Sequence, residues 1–188
     1  MAQRPPRLST RSLLIIAAFG ALGALLLILV APLTATLAAL FPPAYAVAAG
    51  MHSVLPFLAR RLVGFAWTTT IAFSLVGILT IGFTPLGVLI LVPLVITGLG
   101  FDVTLMLLGR RGPLRPWHHV VAAVVTAVLL FLVSLPVMSP RDLAAPILIL
   151  TFAGRLIGQL AAAGIAWLIG GRVLRAGILR PHSLSTSR

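Results

Sequence analysis

SLLIIAAFGALGALLLILV occupies residues 12–30 and contains no charged side chain. At a rise of 1.5 Å per residue, a helix of about 20 apolar residues matches the roughly 30 Å hydrocarbon core of a bilayer. Arg4, Arg7 and Arg11 stand before it. A secretory signal has the same order of parts, but its apolar region runs to about 7–15 residues, and further apolar runs follow in this chain. The stretch therefore reads as a retained transmembrane helix.

Outward from it, apolar runs recur at residues 44–59, 62–80, 85–108, 118–137 and 144–170. Between them lie Pro-, Gly- or Arg-marked segments: 31–43 (APLTATLAALFPP), 82–85 (GFTP), 109–116 (GRRGPLRP) and 139–146 (SPRDLAAP). Glycine and proline are strong breaks in such patterns. The expected fold is an all-α integral membrane bundle of six transmembrane helices. Residues 1–11 form a basic N-terminal tail, 12–170 the membrane domain and 171–188 a basic C-terminal tail. The runs are too long and continuous for the alternating strands of a membrane barrel, about 10 residues each.

Composition agrees. The chain has 188 residues, 60% of them hydrophobic and 9% charged, against about 25% charged in soluble domains. A soluble globule of this make-up would expose large apolar patches and aggregate. There is no cysteine, which excludes disulfides, thiolate metal sites and Cys nucleophiles.

The net charge of +12 does not point to nucleic acid, because the arginines form small clusters between apolar runs instead of one basic face. With the N-terminus inside, six crossings put Arg4, Arg7, Arg11, Arg60, Arg61, Arg110, Arg111, Arg115, Arg172, Arg175, Arg180 and Arg188 on the cytoplasmic side, twelve of the fourteen basic residues. Such asymmetry is the rule for cytoplasmic loops, and inner arginines can meet anionic lipid head groups. The expected location is the cell (plasma) membrane, with both termini cytoplasmic and no nucleic-acid partner.

Few side chains can carry chemistry. Asp102 falls about 9 Å inside the fourth run and Arg155 about 16 Å inside the sixth. Intramembrane charges are costly and mark functional sites by default; packing against neighbouring donors is the alternative for Asp102. The depths differ too much for a simple Asp102–Arg155 pair, so separate partners are expected. Arg155 and Gln159 share one helix face at i, i+4, a candidate pocket wall or packing network. Asp142, beside Arg141 in an outer connection, reads as solvated. His52 and Ser53 lie mid-helix, where a hydrogen-bonded structural histidine is the commoner outcome. Tyr45, Trp67, Trp117 and Trp167 fall near helix ends, as interfacial aromatics do. His118 and His119 are adjacent and so diverge by about 100° on a helix, a poor metal clamp.

No hydrolase elbow, zincin, P-loop or dinucleotide fingerprint is present, so no catalytic residue, cofactor or metal site is expected. Ala17 with Ala21, and Gly20 with Ala24, are small-xxx-small pairs that let helices approach closely in lipid.

The arrangement as a whole resembles the substrate-capture (S) components of energy-coupling factor (ECF) transporters. The likeness is carried by LLIIAAFGALGALL (13–26), PFLARRLVGFAWTTTIAFSLVG (56–77), LVITGLGFDVTLMLL (94–108) and the Gly98-x-Gly100-x-Asp102 pattern. It is similar to the branch linked to thiamine or its hydroxymethylpyrimidine precursor, although that branch often carries Glu at the acidic place. The resemblance implies a six-helix subunit that holds a vitamin-like molecule in its outer half, with 31–43 as a lid. It implies a membrane coupling subunit, met through Ala17, Ala21 and Ala24, and two cytoplasmic ATPase subunits. Substrate contacts are then expected from Arg155, Gln159, Asp102, His52 and Tyr45. Two other classes remain open at this point: a structural or assembly protein without cargo, and a small channel.

Overall fold

The computed structural model describes residues 9–110 and 112–177, and the remainder of both tails lies outside the described residues. The described residues fold into seven α-helices, with short 3₁₀ turns in the α2–α3, α4–α5 and α6–α7 connections: α1 Thr10–Leu40, α2 Pro42–Gly50, α3 Val54–Val63, α4 Thr68–Thr80, α5 Leu91–Gly109, α6 Pro116–Ser134 and α7 Ala145–Arg175. Four apolar helical segments are long enough to cross a membrane: Thr10–Leu40, Gly87–Gly109, Pro116–Val137 and Ala145–Arg175. Thr68–Phe83 is a shorter apolar helix.

α1 begins at Ser9, whose side chain accepts a hydrogen bond from the Ser12 amide at 3.1 Å and so satisfies one of the orphan donors of the first turn. It then runs 31 residues without a break, through Pro32. The connection expected over 31–43 is not a loop: 31–40 continue α1 and 42–43 open α2. Proline removes one backbone donor and frees the carbonyl four residues earlier, that of Ile28; further along, the Thr34 hydroxyl donates to the carbonyls of Val30 and Ala31 at 3.2 and 3.1 Å, and Thr36 to that of Pro32 at 3.0 Å. The helix ends at Phe41, which adopts φ −151°, ψ 84°: a residue before proline is pushed out of helical space, and Pro42 then opens α2 at a position that needs no N–H.

α2 and α3 are one rod broken by the turn Met51–Ser53. Pro56, in the first turn of α3, has no N–H for the His52 carbonyl, and the chain tightens just ahead of it. α3 stops at Gly64, which sits at φ +72° and returns its N–H to the Arg60 carbonyl at 3.0 Å, the left-handed glycine cap. Arg60 and Arg61, expected in an inner loop, therefore belong to the last helical turn, where cations favour the helix dipole. α7 extends to Arg175, so the expected boundary at 170 moves outward.

The rods form a closed ring. α1 packs on α4, α4 on α5, α5 on α6, α6 on α7, and α7 on α2 and α3, which return to α1. α3 also leans inward onto α4. At the centre Phe57 stacks on Phe101 with centroids 3.8 Å apart and meets Phe73 edge-on at 6.3 Å. Small residues fill much of the rest: Ala46, Ala59, Ala72, Ala122, Ala123, Ala127 and Ala162 are all at most 1% exposed. Large apolar side chains point outward instead, with Leu14, Leu29, Val88 and Ile149 exposed. This is the distribution expected where the surrounding solvent is hydrocarbon and helices associate by close packing.

Arg141, in the turn Pro140–Leu143, donates to the Ala39 carbonyl at 3.0 Å. The α6–α7 connection is thereby tied to the far end of α1. Asp142 is not solvated as expected; its side chain is 13% exposed and lies 3.7 Å from Arg141.

Candidate functional site: a polar cluster between α2 and α7

The site starts from glycine. Along α7, positions 154, 158, 162, 166 and 170 read Gly, Gly, Ala, Ala, Gly, and all are buried. A Cβ on Gly154 would come 2.6 Å from the Pro43 carbonyl oxygen, one on Gly158 would come 2.7 Å from that of Val47, and one on Gly50 would fall on the Gly158 backbone. α2 and α7 therefore meet backbone to backbone, the geometry that Gly-x-x-x-Gly permits in membranes. The Gly154-x-x-x-Gly158 signal is plain in the sequence, a stronger small-residue pair than those of α1.

This seam fixes what stands beside it. Thr151, Arg155 and Gln159 share one stripe of α7 at i, i+4, i+8 and are 3%, 7% and 1% exposed. Gln159 Nε2 donates to Ser53 Oγ at 3.1 Å. The Arg155 guanidinium faces the Tyr45 ring, 5.3 Å from its centroid. His52 lies within electrostatic reach of Arg155. Four buried polar atoms here, Thr151 Oγ1, Arg155 Nε, Gln159 Oε1 and His52 Nε2, meet no hydrogen-bond partner of good geometry among the described residues. Buried polar atoms are nearly always paired, which makes this cluster the candidate site; the comparable group at Arg60, Thr69 and Asp102 differs in holding an ion pair at 3.2 Å. The structure thus brings together Arg155, Gln159, His52 and Tyr45 of the expected substrate contacts, and adds Ser53 and Thr151.

Asp102 does not join them. It is 0% exposed, at the junction of α3, α4 and α5. Its Oδ2 accepts from the Thr70 amide at 2.7 Å and the Thr70 hydroxyl at 2.9 Å, and its Oδ1 lies 3.2 Å from Arg60 Nε. Thr70 is the third residue of α4, a helix whose N-cap residue, Trp67, makes no side-chain cap. Asp102 therefore caps α4 from another helix, its charge favourable at that positive end. Gly98 makes the reach possible: a Cβ there would sit 2.6 Å from the Thr70 Cα. Gly100 faces the other way, against Leu129 of α6. The Gly-x-Gly-x-Asp pattern is thus a three-helix junction. As expected from depth, Asp102 and Arg155 have separate partners.

The small-residue pairs of α1 divide. Gly20 and Ala24 are buried, and Gly20 and Gly23 pack against Leu75 and Val76 of α4. Ala17 and Ala21 are exposed. Ala24, expected on a partner-facing surface, is instead 3% exposed, because the residues three and four positions from Gly20 follow it onto the inner face. Near the α5–α6 connection, the Arg61 guanidinium covers the Trp167 ring at 3.2 Å, and His119 meets that ring at 4.8 Å. Trp67 and Trp117 are exposed at that same end. The His118 Nδ1 accepts from the Arg115 amide at 2.9 Å, so this ring caps α6.

No protein-family profile matches the sequence, and no curated protein matches it. Among solved structures, one described as the crystal structure of an S-component of an ECF transporter superposes on the chain with a TM-score of 0.80 at 18% identity. The match covers 92% of this chain and 88% of that one. The protein has the fold of an ECF-transporter S-component.

Proposed function

We propose that this chain is the membrane-embedded substrate-binding subunit of an ECF-type importer in the cell membrane, with no catalytic role of its own. The observation that carries the reading is the shared fold over nearly the whole chain. The Arg155 cluster supports it, since buried unpartnered polar atoms suit a small-molecule site. In this reading the chain crosses the membrane six times, the broken α2–α3 rod counting once, and both termini are cytoplasmic. A membrane coupling subunit docks on the exposed Ala17–Ala21 face of α1, and two cytoplasmic ATPase subunits supply the energy. The cargo is a vitamin-like molecule; thiamine or its pyrimidine precursor follows from sequence resemblance. Asp102 serves the fold and supports the site only indirectly.

Binding of labelled vitamins to the chain in proteoliposomes, together with co-purification of a coupling subunit, tests the proposal. A folded chain that retains no vitamin and no partner overturns it. Ala21→Leu separates the two roles. It places bulk on the docking face, so uptake is expected to fall at least tenfold while the affinity for substrate changes less than twofold. Equal losses in both would remove α1 as the docking surface.

A further inference from the structure

We infer that the Arg155 cluster selects its ligand by charge: it takes a molecule that presents an anionic or uncharged acceptor edge, and it excludes cations. The inference rests on the reading of the chain as a substrate-binding subunit and adds the chemical class of the substrate.

The whole chain contains two acidic residues. Asp102 is committed to Arg60 and Thr70, and Asp142 to Arg141 at the α6–α7 connection. No carboxylate side chain is left for Arg155, which is 7% exposed with an unpartnered Nε. A charge at this depth needs an opposite charge or strong acceptors. Around it stand a neutral amide, an aliphatic hydroxyl, an imidazole and Tyr45, whose ring faces the guanidinium and whose phenol hydroxyl hydrogen-bonds it without supplying a full negative charge. A cationic ligand would add a second positive charge in a medium of low dielectric constant, with no counter-ion to offset it. A carboxylate or phosphate would instead pair with the guanidinium fork. An uncharged heterocycle could turn a ring nitrogen or carbonyl to Arg155 and a donor to Gln159 Oε1. Of the two cargos that sequence resemblance suggests, the neutral hydroxymethylpyrimidine precursor fits this rule, and thiamine with its cationic thiazolium does not.

The test measures equilibrium binding to the full chain in proteoliposomes with thiamine, the hydroxymethylpyrimidine precursor, biotin and pantothenate as probes. At least one neutral or anionic probe is expected to bind tenfold or more tightly than thiamine. Arg155→Gln should weaken that probe at least tenfold. Gln159→Glu, which sets a carboxylate one turn from Arg155, should weaken it similarly and raise the affinity for thiamine; this variant carries the test if Arg155→Gln does not fold. Tightest binding by thiamine in the parent protein, or an unchanged probe affinity in both variants, overturns the charge rule while leaving a substrate-binding subunit intact. Retention of none of the probes by the folded chain removes the proposed function, and the charge rule with it.

Discussion

Asp102→Ala is expected to lower stability by about 3–5 kcal/mol, the cost of leaving one member of a buried ion pair without its partner. The change strips the Thr70 amide and hydroxyl of their acceptor and strands Arg60, which is 5% exposed. Loss of the cap on α4 alone accounts for about 1 kcal/mol. Thermal unfolding of the purified protein in detergent reads the effect as a large drop in the midpoint. A compensating pair sharpens it. Asp102→Leu combined with Arg60→Met should recover much of the loss, because apolar residues of similar volume often replace a buried ion pair at little cost. A single Asp102→Ala variant that melts with the parent would show that the α3–α4–α5 junction is held by packing alone.

The second large effect is expected at the α2–α7 seam. Gly158→Leu drives a side chain into the Val47 carbonyl, 2.7 Å from the would-be Cβ, with the Gly50 Cα at 3.2 Å. These obstacles are backbone, so no rotamer change relieves them, and the helices must separate. Overpacking costs about 1–3 kcal/mol where side chains can yield, and the upper end or beyond is expected here. Separation also pulls Ser53 from Gln159 and Tyr45 from Arg155, so substrate binding should be lost in whatever fraction stays folded. The control lies on the same helix. Gly164 has nothing within 4 Å of its would-be Cβ, and Gly164→Ala should raise stability by up to about 1 kcal/mol through helix propensity. Equal melting of the two variants would rule out backbone contact as the basis of the seam.

Much of this could be read from the chain itself. The apolar runs and the glycine- and arginine-marked breaks at 109–116 locate α5, α6 and α7 to within about six residues at each end, because hydrophobic length is a local property. Pro32 reads as a breaker, but one missing donor does not end a helix that packs against α2, α3 and α4 along its length. Arg60 and Arg61 together read as a break between two apolar runs. The partner of Arg60, Asp102, lies 42 positions on, and nothing local announces a pair formed between helices. The Arg155–Gln159 stripe was visible as an i, i+4 pair, whereas Ser53 became its partner only through the backbone contact of Gly158 with α2. That contact was written in the sequence as Gly-x-x-x-Gly and could have been found.

The unbroken course of α1 has a mechanical corollary. Thirty-one residues span about 46 Å, against a hydrocarbon thickness of about 30 Å. Leu33, Leu40 and Phe41 are exposed along its final turns, so the apolar surface is longer than one hydrocarbon thickness. Either the rod leans or the surrounding acyl chains stretch to meet it, and both cost free energy that rises with the misfit. Lipids with longer tails would favour an upright posture and shorter ones an inclined posture, making membrane thickness itself a setting for the orientation of the subunit.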